Sequence, residues 1–272
     1  DKEPHKHSAF ARPVLAAEEA QPKIANTQVL RVYRLAMHIP YSTFSRYYFD
    51  SKIEKVKTFW ADTEAFLNEM YLRDLGVRFE VVNDERLIIK DATKETFASS
   101  RNASYVKDNS TIVINSLIGE NSYDVGISLV YTSSQQSGIR GLAHIEGVYQ
   151  PNTKADAVAV LTKEVIAHEI GHLFGGRHTF SSHKGSAAYD SEKTELGSGT
   201  SVMSYGSPRD FFSLSSIERI RQRLTQVPAK AKDKTFATQA PRIDYSKIKN
   251  HYTIPKGTFF QFYIPATDPD SE

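Results

Sequence analysis

The sequence predicts a mixed α/β (α+β) fold, with a twisted mixed sheet, a long backing helix, a helix that carries two histidines, and a C-terminal helix. Three observations support this fold class. Short β-prone runs recur along roughly the first 160 residues, residues 51–75 have apolar side chains at helical spacing, and residues 168–178 combine three histidines with a glycine pair. With 272 residues, the chain can form one large domain plus a smaller segment.

The first predicted elements are a strand and the long helix. Residues 29–39 are β-prone and are followed by Pro40, which cannot donate a hydrogen bond to a sheet. From about 51 to 75, apolar residues fall three or four positions apart, and Gly76 follows as a stop signal. The apolar positions are Ile53, Val56, Phe59, Trp60, Phe66, Leu67, Met70 and Tyr71.

Several shorter runs complete the predicted sheet. They are β-prone and bounded by polar or turn residues, and they cover 77–82, 87–89, 111–114, 127–131, 142–149 and 157–160. The polar residues 91–110 are predicted to form a surface excursion. The last strand leads directly into the histidine-bearing helix.

The histidine-bearing helix predicts a metal site. His168 and His172 are four positions apart, so they project side by side from one helix face and can share a zinc ion at about 2.0–2.1 Å. The intervening Glu169 is left free to act as a base. If the helix continued, His178 would lie roughly 15 Å further along its axis. Gly175 and the glycine after it allow the helix to end and the chain to return, so that His178 becomes a third ligand.

The alternative interpretation is that these histidines are ordinary core or surface residues. A bare H-E-x-x-H leaves that alternative open, but the full string H-E-x-x-H-x-x-G-x-x-H disfavours it. Three histidines with an open fourth position are typical of a catalytic zinc site.

The sequence also predicts how the chain divides into domains and connecting segments. Residues 1–27 read as an extended N-terminal arm that could be a propeptide remnant, 28–225 as the main domain, and 226–240 as a linker. Residues 215–218 have the form of a capping box and open a closing helix of about ten residues. In 241–272 we expect one strand over 258–264, which either joins the main sheet or opens a truncated β-sandwich module.

Composition excludes some partners and leaves others open. The 34 Lys and Arg nearly balance the 32 Asp and Glu, so charge does not indicate nucleic acid. Without cysteine, only His, Asp and Glu can hold a metal, and no apolar run is long enough to predict a transmembrane segment. No specific motif supports calcium. The chain begins at Asp1 without an initiating Met or an apolar leader, as expected of a trimmed or an engineered product, from which any export signal would already have been removed.

With these residues placed, the chain resembles the metzincin zinc endopeptidases, and within them the bacterial reprolysin or adamalysin-like peptidases. Residues 201–205 are similar to the family's Met-turn, with Met203 25 residues after His178. Residues 73–79, 123–126 and 178–180 resemble the bacterial group as well, and the likeness spans about 28–225. Thr179 departs from the Asp usual in animal adamalysins, which leaves the branch within the superfamily open.

The resemblance implies a secreted or cell-surface, monomeric zinc endopeptidase that acts on protein or peptide substrates. Glu169 would serve as general base and then acid, and Tyr205 either stabilises the oxyanion or simply packs. An extended substrate would pair with a free sheet edge, for which residues 142–149 are the candidate. The rivals are a catalytically silent, zinc-bearing adhesin or binding module and a zinc hydrolase with non-protein substrates.

Overall fold

The structure is a computed structural model that describes residues 29–97, 102–131, 140–182, 192–226, 233–235, 242–249, 251–261 and 263–267. The predicted arm over 1–27 and most of the predicted linker over 226–240 lie outside these residues. Where it is described, the chain forms the mixed α/β architecture that the sequence predicts. No helix within these ranges is both long and apolar enough to span a membrane.

The strands are β1 Val29–His38, β2 Val77–Val81, β3 Val125–Leu129, β4 Gly141–Ala143, β5 Ala157–Ala159, β6 Lys234–Thr235, β7 Arg242–Ile243 and β8 Ala266–Thr267. The helices are α1 Tyr41–Phe44, α2 Ile53–Leu75, α3 Ala103–Ile118, α4 Lys163–Leu173 and α5 Leu214–Gln226. The main sheet has the order β2-β1-β3-β5-β4, with β6 added antiparallel at the start of β1. Only β4 runs antiparallel along the main path, and it forms one edge of that path.

The long helix α2 forms as predicted and ends at Gly76, whose φ of 67° places it in the left-handed region. Trp60 and Tyr71 of α2 are buried in one apolar core with Ile166 and Ile170 of α4 and Ile220 of α5. Because side chains alternate along a strand, Val158 of β5 faces away from Ala157 and Ala159, and it packs with Val106 of α3. The sheet is therefore covered on both faces.

The prediction of a strand at 111–114 is wrong, because α3 covers these residues, and α3 also replaces the last part of the surface excursion predicted over 91–110. The helix is capped by Asn102, whose side chain accepts a hydrogen bond from the Tyr105 amide at 2.8 Å. Its buried residues include Val106, Ser110, Ile114 and Ile118, which recur every four positions. Helical packing on the sheet therefore overrides the β propensity of the Thr-Ile-Val-Ile run.

Three other predicted strands differ from the structure. The run over 87–89 forms a single bridge, between Ile88 and Ile39, after a 3-10 turn over Glu85–Leu87. The run over 142–149 keeps only its first residues in β4, since Glu146 adopts a left-handed φ of 66° and Gly147–Tyr149 form a 3-10 turn. The described residues of 258–264 form no strand, and β7 pairs with β8 instead. The closing helix begins at Leu214, one residue before the predicted capping box, and Ser213 accepts a hydrogen bond from the Ser216 amide at 3.4 Å.

Candidate metal centre and active site

Helix α4 places His168 and His172 side by side at the end of the buried helix. Their Nε2 atoms are 3.1 Å apart, and the residues around them from Val165 to Leu173 are all buried. Ile166 and Ile170 anchor the helix in the core, so the ring positions are fixed by packing. The four-residue spacing therefore produces the paired arrangement that the sequence predicts.

A sharp turn after α4 adds the third histidine. Gly175 has a φ of 100°, where a residue with a Cβ would be strained, and the Gly176 amide donates to the Gly171 carbonyl at 2.9 Å. The chain then returns, and His178 Nε2 lies 3.2 Å from that of His168 and 3.1 Å from that of His172. The three Nε2 atoms form a nearly equilateral triangle.

The triangle fits a zinc ion. Ligands at 2.0–2.1 Å along neighbouring tetrahedral directions lie roughly 3.3 Å apart, close to the observed spacing. The other ring nitrogens of His168 and His172 donate to the carbonyls of Val202 and Gly176, each at 2.7 Å, which leaves both Nε2 lone pairs directed at the triangle. Burial lowers the pKa of His172 to about 3 and that of His168 well below its ordinary value, so both rings are neutral.

The described residues supply three metal-ligating groups at this point and no fourth carboxylate or thiolate. Structural zinc sites are usually closed by four protein ligands, whereas catalytic sites retain an open position. The centre therefore has the donor set of a catalytic zinc site.

Glu169 lies beside the triangle and is itself only 5% exposed. Burial raises the pKa of its carboxyl well above the ordinary value, and the positive charge of Arg209 opposes that rise. Room for the side chain comes from Gly141 in β4, because a Cβ there would lie 2.6 Å from Glu169 Cγ and 2.7 Å from Cδ. Gly141 was not identified from the sequence, since its role depends on a contact between distant segments.

Met203 forms a fully buried support beneath the histidines. A Cβ at Gly171 would overlap its Sδ atom, and one at Gly176 would lie 3.1 Å from it. The Gly171 position within the H-E-x-x-H string thus needs glycine because the Met203 side chain packs against it, which spacing alone did not reveal.

Glu195 is a second residue that the sequence did not indicate. Its carboxylate accepts hydrogen bonds from the amides of Thr200 at 2.8 Å and Ser201 at 3.0 Å, and from the hydroxyls of Thr179 and Ser201. Burial raises its pKa, but the hydrogen bonds outweigh that effect and the pKa lies below its usual range. Glu195 thereby connects the residue after His178 to the segment that carries Met203.

Tyr205 stands at the open side of the centre. Its ring centroid lies 4.9 Å from that of His178 and 5.7 Å from that of His168, and the side chain is 43% exposed. A recess of about 110 Å³ opens here, lined by Gly141, Leu142, Ala143, Ile145, His168, Glu169, His172, His178 and Tyr205. The edge strand, the three histidines and both predicted catalytic residues therefore share one cavity.

The match to a known protein family agrees with this arrangement. The family described as metallo-peptidase family M12B, reprolysin-like, matches residues 29–225. Among solved structures, one chain of a chaperone–substrate complex aligns at 12% identity with a TM-score of 0.45, covering 71% of this chain and 39% of that one. No curated protein matches the sequence.

Proposed function

The chain belongs to the reprolysin-like metallopeptidases of family M12B, and we propose that it is a zinc endopeptidase with Glu169 as its general base. The observation that carries this proposal is the triangle of three Nε2 atoms beside a buried carboxylate in an open recess. Zinc dependence is a property of the family, and the donor set suits that metal.

His168, His172 and His178 would hold the zinc ion. When bound, zinc supplies Lewis-acid chemistry that acidifies water and polarises a carbonyl group. Glu169 accepts the proton of the attacking water and then donates it to the leaving amine, so one carboxyl group serves as base and acid. Burial raises the pKa of this carboxyl group, and a carboxylate with a raised pKa is a stronger base toward the attacking water.

Two parts of the recess would position the substrate. β4 is an edge of the described main sheet, so an extended peptide can add to residues 141–143 through main-chain hydrogen bonds. Tyr205, beside His168 and His178, would donate its hydroxyl hydrogen to the developing oxyanion. The short β4 limits this pairing to a few residues on either side of the cut.

The alternative from another functional class is a zinc-bearing adhesin without catalytic activity. Glu169 argues against it, since a structural zinc site needs no buried base and uses a fourth protein ligand. A zinc hydrolase with non-protein substrates is disfavoured by the edge strand, which suits an extended peptide backbone.

The test uses protein stripped of metal with a chelator and then reconstituted with one equivalent of zinc. We expect denatured casein to be cut only by the reconstituted protein, with new amino termini identified by mass spectrometry. Simple esters offered in parallel test the non-protein rival. Zinc-loaded protein that leaves casein and a diverse peptide mixture intact would contradict the proposal and favour the adhesin.

A further inference from the structure

Residues 206–212 directly follow Tyr205, which lines the recess at the metal centre, and we call them the wall segment. Arg209 donates its amide to the Thr200 carbonyl at 2.8 Å, and the Val202 amide donates to the Phe211 carbonyl at 2.8 Å. Val202 is also the residue whose carbonyl accepts from His168. The wall segment is therefore connected to a proposed zinc ligand through two hydrogen bonds.

The end of helix α2 holds the wall segment from the other side. Asp74 accepts the Phe212 amide at 2.8 Å, and Arg73 donates to the Asp210 carbonyl at 2.9 Å. The ring of Phe212 also packs edge-on against Tyr71 at 4.9 Å. Arg73 and Asp74, near the end of α2, thus fix the backbone immediately after Arg209.

Arg209 itself has two unusual features. It has a φ of 62°, a left-handed conformation that is strained for a residue with a side chain and that persists only where the surroundings impose it. Its guanidinium is partly buried, yet among the described residues none forms a hydrogen bond or a close ion pair with it. The backbone at Arg209 is therefore fixed, while its positive charge has no direct partner in the part of the chain that the structure describes.

Charged groups near Arg209 include the carboxylate of the proposed base. Burial lowers the pKa of Arg209, Glu164 and Glu169 act to raise it, and Arg140 acts to lower it. Arg140 immediately precedes Gly141, the residue that packs against Glu169, and it donates to the Thr162 hydroxyl at 3.2 Å. Glu164 forms no ion pair with either arginine in the described structure, so the two cations are not neutralised by direct contact.

We propose that Arg209, assisted by Arg140, forms a subsite that binds an acidic side chain of the substrate next to the scissile bond. The inference rests on the proposed peptidase function and adds a substrate class to it. A planar guanidinium with free donors binds a carboxylate through two parallel hydrogen bonds, and partial burial strengthens that pairing. An uncharged side chain at the same place would leave the guanidinium desolvated and unpaired.

The size of the preference follows from the chemistry of the pair. A hydrogen bond to a charged group contributes enough to change kcat/KM by roughly 10- to 100-fold. We expect a peptide with Asp at the position that contacts Arg209 to be cut faster by that factor than its Asn counterpart. Added salt should reduce the ratio, since the subsite is partly open to solvent.

The experiment starts with zinc-loaded wild-type protein and a peptide library that varies every position around the cut. Asp and Glu should be enriched at one position adjacent to the scissile bond. Paired Asp and Asn peptides then give the ratio of kcat/KM for the wild type, Arg209→Gln, Arg209→Lys and the control Arg78→Gln. Arg78 is an exposed cation of β2, at the opposite edge of the main path from β4, so its removal changes net charge alone.

The inference predicts a ratio near unity for Arg209→Gln, an intermediate ratio for Arg209→Lys and an unchanged ratio for Arg78→Gln. Zinc content and thermal midpoint, measured on each variant, confirm that it is folded. Efficient cleavage without acidic enrichment in the wild type, or a ratio retained by Arg209→Gln, overturns the inference and leaves the peptidase proposal intact. Zinc-loaded wild type that cuts no peptide overturns both.

Discussion

Substitution of Gly141 by alanine tests whether β4 and the proposed base are fitted to each other. The new Cβ would lie 2.6 Å from Glu169 Cγ and 2.7 Å from Cδ, whereas carbon atoms pack best at about 3.5–4.0 Å. Either β4 or the Glu169 side chain must therefore move by about 1 Å. Overpacking of this kind costs about 1–3 kcal/mol of unfolding free energy, and a displacement of 1 Å in a catalytic group reduces the rate by roughly 100-fold.

The assay measures kcat and KM for a quenched fluorescent peptide, zinc content, and unfolding in urea. We expect Gly141→Ala to retain zinc, because the three histidines are not displaced, and to lose rate chiefly in kcat if Glu169 moves. Outward movement of β4 would instead raise KM, since that strand would pair with the substrate.

The matched control is Gly126→Ala in β3. Its Cβ would lie 2.8 Å from Ala155 Cβ, inside the core and away from the recess, so stability should fall while kcat is retained. A zinc-loaded, folded Gly141→Ala protein with kcat/KM within threefold of wild type would refute the reasoning.

Three further substitutions test other parts of the site and the core. Glu195→Gln keeps the shape of the side chain but weakens the hydrogen bonds that join Thr179 to residues 200–201. We therefore expect zinc affinity, measured by competition with a chelator, to fall about tenfold. An unchanged zinc affinity would count against this role of Glu195. Tyr205→Phe should reduce kcat by roughly 10- to 100-fold with little change in KM if the hydroxyl binds the oxyanion, whereas wild-type kcat would indicate packing alone. His38 is fully buried between the hydroxyls of Ser128 and Thr96, and burial lowers its pKa to about 3 from an unfolded value near 6.5. Its neutral form is thus favoured in the folded state, and unfolding free energy should fall by up to about 1.4 kcal/mol per pH unit as pH drops from 6.5 toward 3. His38→Gln should flatten this slope in urea titrations, while the exposed control His144→Gln should not, and equal slopes for both would disprove the assignment.

The parts of the site that are local in sequence could be predicted. The spacing of His168 and His172 fixes their relation on a helix, and the glycine pair at the end of α4 indicates a return of the chain that brings in His178. Helix α2 could also be predicted from the sequence, because its apolar period continues over six turns and ends at Gly76. In each case a short stretch of chain determines the geometry.

The parts that depend on tertiary contact could not be predicted. Gly141 is separated from Glu169 by 28 positions, and its need for a missing Cβ follows only from their contact in space. Glu195 reaches the Met203 segment and Thr179 through hydrogen bonds that no spacing rule describes. Helix α3 was missed for a related reason, since its buried positions are set by the sheet it covers and its local propensity favours a strand.

The central claim is that three histidines hold zinc while Glu169 performs the proton transfers. The most direct measurement compares wild type with Glu169→Gln, recording zinc per chain and kcat for the same peptide on the same samples. The account predicts one zinc per chain in both proteins and a kcat reduced by roughly 100- to 10,000-fold in the variant, the range typical of a lost general base. A zinc-loaded Glu169→Gln protein that retained wild-type kcat would contradict it.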